Sequence, residues 1–162
     1  MTVTYAESYE GHLRQHVGAR KLILPSVRAI ISDAEGRVLL VRRDDGIWGM
    51  PAGGLELDEA PGDALRREVR EETGLAVQSA TLMAVDSFST TNPYGNEAHR
   101  LVFVFRVDRW SGELQTVTDE TRDARFVAPD ELPDLPELYR QTLEDFRSFT
   151  GQTLLKPHRL IR

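Results

Sequence analysis

The apolar residues of this chain follow two periods, and together they predict strands interleaved with three helices. Residues 22–33 (LILPSVRAIISD) and 37–43 (RVLLVRR) are rich in Ile, Leu and Val and read as strands. Between them Asp33-Ala34-Glu35-Gly36 carries turn chemistry, so the two runs are expected to form an antiparallel hairpin. Ala76–Thr91 reads as one long strand whose apolar part is Leu82, Ala84 and Val85. Asn92-Pro93-Tyr94-Gly95-Asn96 is a turn signal. His99–Val107 (HRLVFVFRV) is the most apolar strand and is expected at the centre of the sheet. Ser111-Gly112 breaks the chain, Asp123–Val127 is a short strand, Pro129–Leu132 is a turn, and Pro136–Phe149 is expected to be a closing helix. At the other end Tyr5, Tyr9, Leu13 and Val17 recur at steps of four, which predicts a short amphipathic helix ending near Gly18. This divides the chain into an N-terminal helical arm, 1–20, and a main domain, 21–162. Two readings stand open for the arm: packing on its own domain, or reaching across the interface of a homodimer.

The stretch Gly53–Leu75 (GLELDEAPGDALRREVREETGL, with Gly53 preceding this run of Gly54 to Leu75) departs most from a sequence shaped only by stability. Pro61 suits the first position of a helix and Gly74 the left-handed residue beyond its end, so a helix is predicted from Pro61 to Thr73. Asp63 in the first turn agrees with the helix dipole, whereas Ala60 is a poor N-cap because it has no side-chain oxygen. Ala64, Leu65, Val69 and Thr73 make a modest buried stripe. Glu68, Glu71 and Glu72 stand at i, i+3 and i+4, so their carboxylates share a neighbouring face. Like charges at those spacings repel by roughly 0.2–0.5 kcal/mol per pair. Two of the three also lie in the last turn, where the dipole disfavours them. One reading is a solvated acidic face balanced by Arg66, Arg67 and Arg70. The other is a divalent cation, since a hard cation such as Mg²⁺ takes carboxylate oxygens and keeps sites for water and phosphate.

The spacing decides between them. Gly53, five residues, Glu59, seven residues, Arg67-Glu68-Val69, one residue, Glu71-Glu72, one residue and Gly74-Leu75 agree with every fixed position of the Nudix box, G-x5-E-x7-R-E-U-x-E-E-x-G-U, where U is a bulky aliphatic residue. The chain therefore closely resembles a Nudix hydrolase. Trp48-Gly49-Met50-Pro51-Ala52-Gly53-Gly54 also looks like the family's W-x-x-P-G-G lead-in, with Ala52 where Gly is commoner. The resemblance implies an α+β chain with the Nudix fold, an α/β/α sandwich around a curved mixed β-sheet. It implies metal-dependent hydrolysis of a diphosphate bond in a nucleoside diphosphate linked to another group, with Mg²⁺ or Mn²⁺ clamping phosphate oxygens and lowering the pKa of bound water. Carried over position by position, Glu71 and Glu72 are expected as metal ligands and Glu68 as ligand or base. The carbonyl of Gly53 or Ala52 is a further candidate oxygen. Arg67 is expected to pair with Glu71 or Glu68 and orient it, and Glu59 to have a structural or outer role. Many family members add an acidic residue from a loop beyond the box, for which Glu120 is the candidate here, against a solvated loop residue.

Composition agrees with one enzyme domain. The 162 residues are 40% hydrophobic and 28% charged, which is globular rather than disordered. A net charge of −6 argues against nonspecific nucleic-acid binding, though not against a nucleotide whose phosphates a cation bridges. The absence of Cys excludes thiol catalysis, and with it the isopentenyl diphosphate isomerases that share the fold. No apolar run approaches the roughly 18 residues that span a membrane, and the N-terminal stretch has no signal-peptide apolar segment, so no membrane partner and a cytoplasmic location are expected. His12 and His16, four apart, are expected as surface residues. Trp48 is expected as a packing anchor, and Arg42 and Arg43 as the end of a strand or contacts to phosphate. ADP-ribose-like compounds and nucleoside triphosphates are the leading substrates. Pro93 and Tyr94, 18 and 19 residues past Leu75, fit neither of the family's downstream substrate signatures cleanly. Phe88, Tyr94, Phe105 and Phe126 are either base-stacking or packing residues. The alternative to an enzyme is a nucleotide-sensing Nudix domain that does not hydrolyse.

Overall fold

The computed structural model describes residues 5–91 and 95–161. The expected turn at Asn92–Asn96 falls mostly outside them. The chain opens with a 3₁₀ turn, Tyr5–Glu7, and α1, Tyr9–Val17. Ser8 caps α1 by accepting the Gly11 N–H at 3.1 Å, and Gly18 ends it. The strands β1 (Leu22–Ile30), β2 (Val38–Arg42), β3 (Trp48–Gly49) and β4 (Ala52–Gly54) lead to α2 (Pro61–Thr73). Then come β5 (Ala76–Thr91), β6 (Glu97–Ser111), β7 (Asp123–Val127), α3 (Glu137–Ser148), β8 (Leu154–Leu155) and β9 (Arg159–Leu160). The fold is α+β, with a mixed sheet between helices.

α2 has the predicted bounds. Pro61 starts it, Ala60 offers no side-chain cap, and Gly74 closes it at φ 74°. Ala64, Leu65, Val69 and Thr73 are buried. Each buried Leu or Val contributes roughly 1.5–3 kcal/mol, so it is this stripe that docks the helix.

The main sheet has the order β4-β1-β6-β5-β8, with β9 also on β5. β6 sits at its middle, as its apolar sequence predicts. β1 runs parallel to β6 and antiparallel to β4, while β5 and β6 form a long antiparallel pair with register shifts near Ser79 and between Leu82 and Ala84. A second sheet has the order β3-β2-β7. The expected hairpin of β1 and β2 is therefore corrected. The turn is present, with Gly36 at φ 76° and the Asp33 carboxylate accepting the N–H groups of Glu35 and Arg37. Only a bridge between Ser32 and Val38 joins the two arms, and the strands then diverge into separate sheets. β2 is claimed by β7, which pairs with all five of its residues.

Alternation along β1 sorts the core into two layers. Ala29 and Ile31 face the α2 side with Leu65, Val69 and Leu75. Ile30 faces the α3 side with Met83, Phe88, Val102 and Leu143. Phe105 and Phe126 pack on the α2-side cluster, and Phe126 stacks on Trp110 at 5.6 Å. Trp48 packs on the other cluster, and the guanidinium groups of Arg42 and Arg125 lie 5.5 and 4.4 Å from its ring.

A second correction concerns the C-terminus. α3 is not the closing element, because the chain returns to lay β8 and β9 parallel on β5. A buried ion pair fixes this strap: Arg159 reaches both carboxylate oxygens of Asp86 at 2.6 Å, and Asp86 is 2% exposed.

Candidate metal and diphosphate site

The lead-in loop and α2 meet because Gly53 has no side chain. A Cβ on Gly53 would lie 2.0 Å from the Glu68 carboxyl group, so only glycine lets β4 close over that residue. Glu68 is buried, and Glu71, one turn on, is half-buried. Glu120 arrives from the loop before β7. That loop is shaped by Thr118, whose hydroxyl accepts the N–H groups of Glu120 and Thr121 at 3.2 and 3.1 Å. The outcome is one carboxylate oxygen each from Glu68, Glu71 and Glu120, all within 4.8 Å of one another.

Arg67 braces this group. Its guanidinium pairs with Glu59 at 2.8 Å, Glu68 at 2.7 Å and Glu71 at 3.1 Å, and donates to the Gly54 carbonyl at 2.9 Å. These hydrogen bonds, first of all that to Glu59, raise the Arg67 pKa, and the same contact lowers that of Glu59. Two guanidinium groups, Arg67 and Arg43, thus stand against five carboxylates, Glu59, Glu68, Glu71, Glu72 and Glu120. An all-oxygen donor set with excess negative charge fits a hard divalent cation.

Glu72 is placed differently from its two neighbours. It is 2% exposed, accepts the Ala52 N–H at 2.8 Å and pairs with Arg43 at 2.8 Å. Each oxygen has one partner and keeps a further lone pair, and Glu72 is not among the three carboxylates that converge within 4.8 Å. Arg43 also donates to the carbonyls of Met50 and Ala52, at 3.0 and 3.3 Å. It therefore ties the lead-in loop to the helix rather than ending a strand in solvent. Of the two candidate carbonyls, that of Ala52 is the one facing this guanidinium.

Burial pushes the carboxyl groups of Glu68 and Glu72 up to about 7, against the attraction of Arg67 for the first and Arg43 for the second. Burial, then the nearby Glu71 charge, also raises Glu120. Unfolded, these groups titrate near 4.3. Between about 4.5 and 7 the folded state therefore binds more protons than the unfolded one, and stability falls as pH rises through that window. In EDTA the melting temperature is expected to fall from pH 5 to pH 7.5, and in excess Mg²⁺ this fall is expected to disappear. Thermal melts at both conditions check it, and a flat or rising EDTA profile would contradict these protonation states.

The site lies on a cleft of about 890 Å³ that continues over the α3-facing side of the sheet. Glu68, Glu71, Glu120, Arg67 and Gly53 line one end of it. Sequence reasoning missed Arg28 and Tyr139, which line it as well. The signal for Arg28 was a lone charge inside an apolar strand. Phe88, weighed as a base-stacking or packing residue, is buried and also borders the cleft. Asp130 and Glu131 lie in a turn well before α3 and outside the acidic group.

A mixed sheet between helices, with carboxylates of a glycine-cradled helix at the mouth of a cleft, defines a hydrolase of phosphate anhydrides. The chain belongs to the Nudix family: it matches the NUDIX domain over residues 22–146. It is 36% identical over 123 residues to a MutT-like protein of Streptomyces ambofaciens, covering 74% of each chain. It is 30% identical over 120 residues to an ADP-ribose pyrophosphatase of Methanocaldococcus jannaschii, covering 72% of this chain and 69% of that one. Among solved structures it superposes on a MutT NUDIX hydrolase from Burkholderia pseudomallei with a TM-score of 0.67 at 31% identity, covering 76% of this chain and 98% of the other. No helix among the described residues is long and apolar enough to cross a membrane.

Proposed function

We propose that this Nudix hydrolase cleaves the diphosphate bond of a nucleoside diphosphate linked to a second group, with ADP-ribose-like compounds the leading class, in a reaction dependent on Mg²⁺ or Mn²⁺. The observation that carries the metal is the convergence of Glu68, Glu71 and Glu120 within 4.8 Å from two separate segments of chain. Support for the substrate class comes from the 30% identity to an ADP-ribose pyrophosphatase.

When bound, the cation would neutralise phosphate charge and lower the pKa of a water. Everything else falls to the chain. Glu68, Glu71 and Glu120 would hold the cation, and the Gly53 carbonyl is the further candidate oxygen. Glu68, buried at the meeting point of the three carboxylates, would serve as a ligand or as the base that orients the attacking water. Arg67 keeps Glu68 and Glu71 oriented between turnovers, and Glu72 with Arg43 keeps the Ala52–Gly53 loop closed over the helix. The described part of the arm, residues 5–20, is assigned to the same folded unit, and the protein is assigned to the cytoplasm.

The test is phosphate release from ADP-ribose, nucleotide sugars and nucleoside triphosphates, each with Mg²⁺, with Mn²⁺ and with EDTA. EDTA-sensitive turnover of ADP-ribose above the rest is the expected result. Saturable nucleotide binding without turnover would replace this reading with that of a nucleotide sensor.

A further inference from the structure

The match to the family begins at residue 22, so α1 lies wholly outside it. Glu56 occupies one of the five positions between Gly53 and Glu59 that the box pattern leaves open. These two segments nevertheless bond directly. Tyr9 is the first residue of α1, and its backbone N–H donates to the Glu56 carboxylate at 3.1 Å. That N–H has no acceptor within its own helix, and a carboxylate suits the positive end of the helix dipole. Two further contacts anchor the arm on β6. Glu10 pairs with Arg100 at 3.0 Å, and Arg14 donates to the Glu97 carbonyl at 2.8 Å. The arm therefore ties β6 to the loop that leads into α2.

From Glu56 the bonds run on without a break. The Glu56 N–H donates to one Glu59 carboxylate oxygen at 3.0 Å. The same oxygen accepts a terminal nitrogen of Arg67 at 2.8 Å, and the other accepts the Arg67 Nε, also at 2.8 Å. Arg67 then donates to Glu68 at 2.7 Å and to Glu71 at 3.1 Å, two of the three converging carboxylates. The loop between Glu56 and Glu59 is strained. Asp58 sits at φ 61°, and among the described residues it alone has a positive φ without being glycine. The Glu59 N–H closes the turn around it by donating to the Glu56 carbonyl at 3.3 Å. A side chain in the left-handed region persists where its surroundings over-determine the backbone. Here Arg67 clamps Glu59 at one end of the turn, and Tyr9 latches Glu56 at the other.

We propose that the N-terminal arm is a positioning element of the metal site: the Tyr9 N–H holds Glu56, and through it the pairing of Glu59 with Arg67 that orients Glu68 and Glu71. Tyr9 and Glu56 are positioning residues, since neither belongs to the converging group itself. Without the latch the turn at Asp58 relaxes and Glu59 no longer fixes Arg67 in one place. The carboxylates then spread over more arrangements, and ordering them must accompany binding, which lowers affinity for the cation. The inference rests on the metal site proposed above and adds to it a segment that the family match lacks.

The test sets Tyr9→Pro against Tyr9→Ala in the full chain. Both lose the phenol ring. Proline suits the first position of a helix but has no N–H, whereas alanine keeps it, so the ratio of the two reads that N–H. Mn²⁺ affinity is measured by calorimetry without substrate. The Tyr9→Pro protein is expected to bind Mn²⁺ about tenfold more weakly than Tyr9→Ala, the lower end of what outer partners of metal ligands contribute. An arm with a structural role alone would change the fraction of protein that binds and leave the dissociation constant where it was. Hydrogen exchange in EDTA reads the latch without metal. The Glu56 amide, held by Glu59, should exchange faster in Tyr9→Pro than in Tyr9→Ala. Should Tyr9→Pro not fold, Glu56→Ala and Glu56→Gln repeat the comparison. Glutamine still accepts the Tyr9 N–H, so Glu56→Gln should bind Mn²⁺ more tightly than Glu56→Ala. Equal dissociation constants within a pair would overturn the positioning role and leave the metal site standing, and so would unchanged exchange at Glu56. A wild-type chain that binds no Mn²⁺ would remove the metal site and the inference with it.

Discussion

Glu71→Gln is expected to lower kcat at least a hundredfold while leaving the melting temperature within a few degrees of wild type. Removing groups that merely orient metal ligands typically costs 10–100-fold in affinity or activity, so loss of a proposed ligand sets the upper figure as a floor. Stability should hold because Glu71 keeps a quarter of its side-chain exposure and its direct ion pair is with Arg67, which retains Glu59 and Glu68. Gln preserves shape and removes one of several repelling charges, and that offsets the lost pair. Glu72→Gln is the instructive contrast. It should also lower activity, but with a stability that falls less than the wild type's between pH 5 and 7.5 in EDTA, because a neutral amide has no charge to bury. The paired measurements are steady-state kinetics in Mg²⁺ and chemical denaturation in EDTA. Full activity in Glu71→Gln would sink its assignment as a ligand. A Glu72→Gln protein whose stability follows pH as the wild type's does would show that the buried charge does not lie on Glu72.

The second large effect is structural. Asp86→Ala should lower the unfolding free energy by about 3 kcal/mol, the low end of the range for breaking a buried ion pair, since Arg159 retains some contact with water. Two guanidinium groups, those of Arg159 and Arg28, would lose the negative charge between them. The Ser87 N–H would also lose its acceptor. Urea denaturation gives the magnitude, and hydrogen exchange gives the place: amides of Lys156 and Ile161, which bond to Val85 and Ser89, should lose protection first. A change under about 1 kcal/mol would mean that the strap is held by its backbone bonds and its other side-chain contacts, among them Lys156 on Asp145 and Thr153 on the Leu82 carbonyl, since an exposed pair contributes no more than that.

Much of the fold was legible because its signals are local. Pro61 and Gly74 delimit α2 through their own backbone preferences, and Ser111-Gly112 ends β6 in the same way. Gly53 through Leu75 could be read by spacing, and that spacing pointed to Glu68 and Glu71 as partners. What was not legible depends on residues far apart in the chain. The strap consists of two-residue strands with no periodicity, and its anchor joins Asp86 to Arg159 across 73 positions. The β1–β2 turn was correct while its sheet was not, because β7 outcompetes β1 for β2, and no local pattern announces that. Helical spacing grouped Glu72 with Glu68 and Glu71. It could not show that Arg43, from a different element, would draw that carboxylate to the loop. Arg28 stood as the lone charge in a strand otherwise suited to burial, and that it lines the cleft shows only once the strand is packed.

The strap has one more consequence. β5 is 16 residues long and pairs along its length with β6 on one side. Its other side is a row of backbone donors and acceptors that β8 and β9 cover at only a few positions, Ala84–Val85 and Phe88–Ser89. Bare sheet edges are templates for other chains. Residues 154–160 therefore guard the molecule's solubility as well as its stability. A version of the chain trimmed to the family's own boundary at residue 146 would keep the acidic site and still expose the edge along which copies of the molecule could zip together.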